Sequence, residues 1–151
     1  MVYDIYPFRI TMEIEAFSEG WVAQWCQHLN KRTAYRQVAA NWEGAVALIM
    51  TRDGSEGSPR RAVFLDLWHG QCRAARVAST EDLETAAYVL SGTATAWREV
   101  LTGKMAPLMA FMGGKIRFTR GSMGSLLPYA AAARELVATA VEMDVRFPEE
   151  W

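Results

Sequence analysis

Three apolar segments joined by short, turn-forming sequences constrain the fold of this chain more than any other feature. Residues 45–52, 62–68 and 72–78 each have the length and the apolar content of a strand. The connection at 53–59 consists almost entirely of turn-forming residues, and the connection at 69–71 is tight. Strands joined by such short connections pair antiparallel, because a parallel pair needs a much longer crossover. The sequence therefore predicts an antiparallel meander.

Helices and two further strands are predicted on either side of the meander. Of six predicted helices, the first begins after Ser18, the second covers Tyr35 to Trp42 and stops at Gly44, and the third spans residues 80–87. The fourth runs from a cap at Thr95 to a stop at Gly103, and the fifth begins at Pro107 and ends at Gly113-Gly114. The last spans residues 125–143. The further strands are predicted at residues 88–94 and 115–120, and residues 1–17 as an extended arm. Helices separated from a mostly antiparallel sheet define an α+β fold.

Length and charge limit the domain count and the range of partners. The chain has 151 residues, which suits one domain, with residues 1–44 as a helical lead-in and residues 45–143 as the sheet-and-helix core. A net charge of −1 and an isoelectric point near 6.1 do not fit a broad nucleic-acid-binding surface. No nucleic-acid partner is therefore expected.

The cysteines and the N-terminal sequence bear on the compartment. Cys26 and Cys72 are too few for a disulfide-stapled scaffold, and Cys72 is interpreted as a small buried side chain. Asp4 stands where a secretory signal carries Lys or Arg, and no apolar stretch reaches the roughly 18 residues of a membrane span. A cytoplasmic location is therefore expected.

A few residues outside the apolar pattern offer weak signals for metal binding or catalysis. Cys26 and His28 lie two positions apart on a helix and point to different sides, which disfavours a shared zinc ion with His69 and Cys72. His69 and Cys72 flank a tight turn without an oxyanion-hole motif, and Asp66 is a lone acid. The expectation is a protein with no metal, no cofactor and no catalytic residues.

An ordered series of short motifs in the second half of the chain resembles the sterol carrier protein family, the type-two SCP-2-like lipid-binding domain. The motifs are Tyr88-Val89-Leu90 with Gly92, then Trp97, Gly103-Lys104, Pro107-Leu108, Phe111-Met112 with Gly114-Lys115-Ile116, and Gly121 before Leu126-Leu127. The resemblance is best over residues 88–140 and covers about two-thirds of the chain. It implies a sheet of about five strands covered by helices around an apolar tunnel. It also implies noncatalytic binding or transfer of a lipid, fatty acyl chain or sterol-like molecule.

Ten apolar side chains around the predicted short helix at Pro107 are the candidate ligand-binding residues. Met residues suit such a site because their flexible, polarizable side chains can re-pack around different ligands. The candidates are Trp97, Leu101, Met105, Leu108, Met109, Phe111, Met112, Phe118, Leu126 and Leu127. Two alternatives stay open at this point. One is a protein-interaction or homodimerisation module with a filled core, and the other is a small enzyme that uses Cys72, His69 or Asp66.

Two further features bear on how a lipid would reach the protein. Residues 98–134 contain six basic residues and only one acid, Glu99, which suits weak contact with an anionic membrane surface. The alternative is a solvated face balanced by the acidic C-terminal residues.

Residues 121–125, which contain two glycines, are interpreted as a flexible gate before the last helix.

Overall fold

A five-stranded sheet forms the centre of the computed structural model, which describes residues 14–53 and 60–148. In chain order its strands are β2 (Glu43–Thr51), β3 (Arg60–Trp68), β4 (Gln71–Val77), β5 (Tyr88–Thr93) and β6 (Ile116–Arg120). In space the order is β4-β3-β2-β5-β6. A separate pair of short parallel strands, β1 (Ile14–Glu15) and β7 (Val145–Arg146), joins the two ends of the described chain.

The predicted meander is confirmed by the pairing of β2, β3 and β4. Both pairs are antiparallel, with Val46 opposite Leu65 in the first and Leu65 opposite Ala75 in the second. The next strand, β5, lies on the other side of β2 and runs parallel to it, so that Val46 also pairs with Tyr88. The connection from β4 to β5 is longer and contains a helix, which allows β5 to run parallel to β2. The predicted α+β class with a mostly antiparallel sheet is confirmed.

The described residues contain seven α-helices and one 3-10 turn. They are α1 (Glu19–Lys31), α2 (Thr33–Val38), α3 (Thr80–Thr85), α4 (Ala94–Leu101), α5 (Pro107–Met112), α6 (Met123–Leu126), the 3-10 turn Leu127–Tyr129 and α7 (Ala130–Val141). Ser18 caps α1 as predicted, because its side chain accepts a hydrogen bond from the backbone N–H of Trp21 at 3.2 Å. The prediction that Thr95 caps this helix is wrong. Thr93 caps α4 by accepting from the N–H of Ala96.

Two predicted helices are shorter in the structure than their sequences indicate. The helix predicted from Tyr35 to Trp42 ends at Val38, and Trp42 lies in the following turn, where its Nε1 donates to the carbonyl of Gly44 at 2.8 Å. The long helix predicted over residues 125–143 is divided into α6, the 3-10 turn and α7. Pro128 lies in that turn and has no N–H to continue a regular ladder of helical hydrogen bonds.

The two faces of the sheet carry cores of different size. Side chains of Val46, Leu48 and Leu65 point to the larger core, which α1, α4 and α7 cover. The opposite face carries a small cluster that includes Ile49 and Phe64. This division follows from the period-two alternation of a strand. The larger space between sheet and helices lies on the first face, whereas α3 covers part of the second face through Leu83.

A disulfide between Cys26 and Cys72 fastens α1 to β4, with 5.4 Å between the two Cα atoms. Asn30 reinforces the same contact. Its Nδ2 donates to the carbonyl of Cys72 at 2.9 Å, and its Oδ1 accepts from the Cys72 N–H at 2.8 Å. Cys72 is buried, as interpreted from the sequence, and its sulfur is paired in the disulfide. Pairing brings together residues 46 positions apart, which spacing alone does not indicate.

The N-terminal arm is described only from residue 14. The predicted extended segment up to residue 13 lies outside the described residues, and Ile14–Glu15 forms β1. The Glu15 carboxylate pairs with the guanidinium groups of Arg61 and Arg146. These ion pairs hold the pKa of Glu15 below its ordinary value, with the hydrogen bond from Arg61 as the largest cause. The arm is thus tied to both β3 and β7.

Candidate functional site

An apolar cavity of about 70 Å³ lies between the sheet and the helices. Its wall is built from β2, β3, β5 and β6 on one side and, on the other, from every α-helix except α3, together with the 3-10 turn and Trp42. Twenty residues line it: Trp25, Tyr35, Trp42, Val46, Leu48, Leu67, Tyr88, Leu90, Trp97, Val100, Leu101, Pro107, Phe111, Ile116, Leu126, Tyr129, Ala132, Ala133, Leu136 and Val137. None of these side chains is charged, so the cavity offers a ligand an almost wholly apolar surface.

The tryptophans in the wall direct their polar atoms to protein partners. Trp25 Nε1 donates to the carbonyl of Leu136 at 3.0 Å, and Trp97 Nε1 donates to the carbonyl of Ile49 at 2.8 Å. The Trp42 indole is bonded in the same way to Gly44. Because these donors are satisfied by backbone carbonyls, the rings present carbon to the cavity and require nothing polar from a ligand.

The three tyrosines of the wall differ in how their hydroxyl groups are satisfied. The Tyr88 hydroxyl lies 2.6 Å from Oγ of Ser125. Within the described part of the chain, the hydroxyls of Tyr35 and Tyr129 have no hydrogen-bond partner. Tyr35 is only 2% exposed, and its burial raises the pKa of the phenol well above its ordinary value. Tyr35 therefore remains a neutral phenol at any physiological pH.

The cavity is too small, in this conformation, for a long-chain lipid. An engineered apolar cavity of about 150 Å³ holds benzene, and ordinary ligand pockets are about 300–1,000 Å³. A space of about 70 Å³ is far below both values. The residues that the structure describes thus line a small cavity, and they do not show the apolar tunnel that the family resemblance implies.

The ten predicted site residues fall into three groups. Trp97, Leu101, Phe111 and Leu126 line the cavity. Met105, Leu108 and Phe118 are half-buried, and the Phe118 ring packs edge-on against Phe111 with ring centroids 5.1 Å apart. Met109, Met112 and Leu127 face solvent, with 63%, 74% and 51% of their surface exposed. The role of all ten in binding a ligand stays a prediction.

Much of the cavity wall comes from elements that the sequence pattern does not assign to the site. Trp25 and Tyr35 belong to the N-terminal helices, which the sequence predicts only as a lead-in, and Leu136 and Val137 belong to α7. Their helical spacing marks them as buried. It does not indicate that they meet in one space, because that depends on how α1, α2 and α7 pack together.

The exposed methionines of α5 lie close in sequence to basic side chains. Met109 and Met112 are three positions apart and share the outer face of α5, whereas Pro107 and Ala110 are buried. Lys115 and Arg117 follow directly and are exposed. The Lys115 ammonium lies 3.5 Å from the carboxylate of Glu99, whose side chain is partly buried.

The residues considered for catalysis or metal binding make structural contacts with other side chains. Cys72 is in the disulfide, and Nε2 of His69 lies 2.6 Å from the Glu43 carboxylate at an exposed position. Asp66 accepts a hydrogen bond from Arg73 at 3.1 Å. Over residues 14–53 and 60–148, no group of three or more His, Cys, Asp or Glu side chains is arranged to hold a metal ion.

A five-stranded sheet with helices and an apolar cavity on its larger face has the sheet-and-helix arrangement that the family resemblance implies. The sequence profile of the SCP-2 sterol transfer family matches residues 22–133. The chain therefore belongs to the SCP-2 sterol transfer family, and the family resemblance seen in the sequence is confirmed.

Solved structures agree with this assignment. A crystal structure of sterol carrier protein 2 is 42% identical to this chain with a TM-score of 0.77, over 85% of this chain and 99% of the other. A Thermus thermophilus protein, described as possibly a sterol carrier protein, is 40% identical with a TM-score of 0.76, over 91% and 94%. Sterol carrier protein 2 from Yarrowia lipolytica, in its apo form, is 12% identical with a TM-score of 0.55, over 88% and 99%, and shares the fold.

A search of curated protein sequences finds no match. Among the residues that the structure describes, no helix combines the length and the apolar character needed to cross a lipid bilayer.

Proposed function

We propose that this protein binds an apolar ligand, such as a lipid, a fatty acyl chain or a sterol-like molecule, in the cavity and carries it without chemical change. The observation that carries the proposal is the composition of the cavity wall, whose twenty residues include no charged side chain and whose tryptophan N–H groups are all bonded to backbone carbonyls. Membership of the SCP-2 sterol transfer family supports the same function.

Burial of hydrocarbon supplies the driving force. Each methylene group transferred from water to an apolar space contributes about 0.8 kcal/mol, so a long acyl chain can bind tightly with few polar contacts. Part of that free energy must be spent on widening the cavity from this small volume. A single protein can then accept several apolar ligands, because a hydrophobic wall discriminates weakly between chains that differ by one methylene group.

The wall most suited to movement is formed by α5 and by the segment from α6 to the start of α7. Both consist of short elements, and the chain from Met123 to Tyr129 changes from α-helix to 3-10 turn before α7 begins. Phe111 and Leu126 line the cavity from these two elements, whereas Met112 and Leu127 lie outside on the same elements. We place the entrance between α5 and α6, where outward displacement of either element enlarges the cavity.

The outer face of α5 is also the proposed contact with a membrane. Met109 and Met112 are the two most exposed large apolar side chains of the described residues, and exposed Lys115 and Arg117 follow them. Apolar side chains enter the interfacial region of a bilayer, and each basic residue near an anionic surface adds about 1 kcal/mol of attraction. The proposed surface is therefore suited to a bilayer that contains anionic lipid, with the cavity entrance held against it.

Ligand binding can be tested on the purified, delipidated protein. Three of the six tryptophans line the cavity, so the intrinsic fluorescence should change on titration with a long-chain lipid and saturate near one molecule per chain. Native mass spectrometry of the protein before delipidation should show a co-purified apolar molecule. An interaction module with a filled core would give neither result, and a homodimer without lipid in the same spectra would favour that alternative.

A cavity-filling variant provides the specific control. Ala133→Leu adds three carbon atoms to the cavity wall and should abolish lipid binding with a small change in stability, because the added group occupies existing space. Ala131→Leu lies on the same helix but outside the cavity wall and should bind lipid like the wild type. If Ala133→Leu binds lipid normally, the ligand site is elsewhere.

Membrane contact needs its own test, because lipid binding and vesicle binding can fail independently. The variant Met109→Ser/Met112→Ser and the variant Lys115→Ala/Arg117→Ala should each reduce co-sedimentation with vesicles of phosphatidylcholine and phosphatidylserine. The control Val38→Ser/Val77→Ser removes exposed apolar side chains elsewhere and should not. Salt should weaken vesicle binding, since the Debye length falls from about 10 Å at 0.1 M to about 3 Å at 1 M. Equal vesicle binding by all variants would exclude the α5 face.

A further inference from the structure

We propose that Met109 and Met112 form an oxidation site, and that a peroxide, by converting these two thioethers to sulfoxides, releases the protein from a membrane while leaving its ligand cavity intact. The inference rests on the proposed function, because it requires that the outer face of α5 contacts a bilayer. It goes beyond that function by naming a covalent modification and the two residues that receive it.

The two methionines on the outer face of α5 are the most exposed methionines of the described residues. Met109 and Met112 are 63% and 74% exposed, whereas Met50 and Met143 belong to the buried core. Met109 and Met112 lie three positions apart on one helix, so their side chains are neighbours on that face. A soluble oxidant therefore reaches this pair before it reaches the methionines of the core.

The cysteines of the chain do not compete for the oxidant. A free cysteine is oxidised as its thiolate, which makes an exposed thiol the usual target of a peroxide. The chain has two cysteines, and both lie in the described residues, where Cys26 and Cys72 are joined to each other. The thioethers of α5 are therefore the exposed sulfur groups that remain for a peroxide.

The reaction is the transfer of one oxygen atom from hydrogen peroxide to sulfur. A lone pair of the thioether sulfur attacks one peroxide oxygen, the O–O bond breaks, and the departing hydroxide takes the proton of the transferred oxygen and leaves as water. Sulfur loses two electrons and the peroxide gains them. The product is a polar sulfoxide, which disfavours contact with the apolar part of a bilayer interface.

The same reaction leaves the ligand cavity unchanged. None of the twenty residues that line the cavity is a methionine. Phe111 faces the cavity from α5, while Met109 and Met112 lie on the outer face of the same short helix. Oxidation thus changes the surface of α5 and not its buried side, so membrane contact and ligand binding respond differently to the same oxidant.

Treatment of the purified, delipidated protein with hydrogen peroxide tests the proposal on the wild type alone. Peptide mass spectrometry over time should show oxidation of Met109 and Met112 well before that of Met50 and Met143. Co-sedimentation with vesicles of phosphatidylcholine and phosphatidylserine should weaken at least about fivefold once the α5 pair is oxidised, because apolar contact is lost while the basic residues remain. Fluorescence titration with palmitate should give an affinity near that of the untreated protein.

Two variants separate α5 from the other methionines. Met109→Leu/Met112→Leu keeps apolar side chains of similar volume on an exposed helix face, so it should fold and bind vesicles like the wild type. Because it lacks the two sulfur atoms, peroxide should leave its vesicle binding unchanged. Met105→Leu/Met123→Leu is the matched control, since it removes two half-buried methionines. Peroxide should weaken the vesicle binding of this control as much as that of the wild type.

Repair by methionine sulfoxide reductases provides the reverse step. Each enzyme acts on one sulfoxide epimer, and a dithiol supplies two electrons and two protons, so that the oxygen leaves as water and the thioether is restored. The repaired protein should regain its vesicle binding. The reference is unoxidised protein given the same dithiol, because the dithiol also reduces the Cys26–Cys72 bond.

Three results would overturn this inference: vesicle binding of the oxidised wild type equal to that of the untreated protein, loss of vesicle binding by Met109→Leu/Met112→Leu on peroxide treatment, or oxidation of the core methionines ahead of the α5 pair. Failure of the untreated wild type to bind vesicles would instead overturn the proposed membrane contact. Failure of the untreated wild type to bind palmitate or any other long-chain lipid would overturn the proposed ligand binding.

Discussion

The hydroxyl of Tyr88 lies 2.6 Å from Oγ of Ser125 and joins the sheet to α6, which contributes Leu126 to the cavity wall. Tyr88 belongs to β5 and lines the cavity, whereas Ser125 belongs to α6. The Tyr88 ring also lies directly against Gly121, where an added Cβ would meet its Cδ2 at 2.4 Å. The segment from Gly121 to Ser125 is thus fastened to one tyrosine, and movement of the proposed entrance requires breaking that contact.

Loss of the Tyr88–Ser125 hydrogen bond should loosen the entrance. Tyr88→Phe keeps the ring in the cavity wall and should lower the free energy of unfolding by about 0.5–1.5 kcal/mol. Hydrogen exchange across residues 121–127 should become faster than in the wild type, and bound lipid should slow it again. Exchange across residues 136–140, inside α7, should be unchanged and serves as the internal control. Equal exchange rates at 121–127 in both proteins would leave this segment without a gating role.

Gly121 is required for its backbone conformation and for the close approach of Tyr88. Its φ is +86°, and Gly114 has a similar φ of +75° with no atom within 4 Å of an added Cβ. Gly114→Ala should therefore lower stability by about 1–2 kcal/mol, from the left-handed conformation alone. Gly121→Ala should lower the free energy of unfolding by about 1–3 kcal/mol more than Gly114→Ala does, because its methyl group displaces the Tyr88 ring. Thermal unfolding of both variants measures the difference, and equal losses would show that the ring contact is unimportant.

Reduction of the Cys26–Cys72 disulfide should destabilise the protein without changing its fold. The bond closes a loop over a sequence separation of 46 residues, and its loss should lower the free energy of unfolding by about 2–4 kcal/mol. The bidentate contact of Asn30 with the backbone of Cys72 should keep α1 against β4 after reduction. Denaturant titration with and without a reducing agent tests this prediction, and Asn30→Ala should increase the effect. Identical unfolding curves would show that the disulfide contributes nothing.

Asp82 makes the stability of the protein vary with pH in the acidic range. Hydrogen bonds from Arg76 at 2.8 and 3.0 Å, together with the backbone N–H of Ser79, lower the pKa of Asp82 to about 2 against the burial that raises it. The pKa of an Asp carboxyl in the unfolded chain is about 3.9, so Asp82 contributes its full stabilisation of the fold above that pH. It is lost as the pH falls from about 4 to about 2.

The variant Asp82→Asn should therefore be about 1–2 kcal/mol less stable than the wild type at neutral pH, since it weakens both the ion pair and the capping box of α3. The difference should shrink as the pH falls toward 2, where about half of Asp82 is protonated. Glu84→Gln, at an exposed position on the same helix, is the control and should leave the stability close to that of the wild type. Thermal melts across this pH range measure both, and a constant difference down to pH 2 would contradict the assigned role of Asp82.

The meander, the class of fold and several helix boundaries could be read from the sequence because each depends on neighbouring residues. The short connections force β2, β3 and β4 to pair antiparallel. The Ser18 cap of α1 and Pro107 at the start of α5 each act within one helical turn. The family resemblance also depends on local order along the chain. These features are determined by interactions between residues a few positions apart, so pattern alone predicts them.

Tertiary structure alone decided which side chains surround the cavity and which face solvent. The disulfide joins residues 46 positions apart, and the Trp25 indole reaches the Leu136 carbonyl across 111 positions. In α5, apolar residues occur on every side, so the pattern could not tell that Met109 and Met112 point outward while Phe111 points inward. Only the packing of the short helix against the sheet and α7 selects its buried face, because helical periodicity identifies faces but carries no information about which elements will cover them.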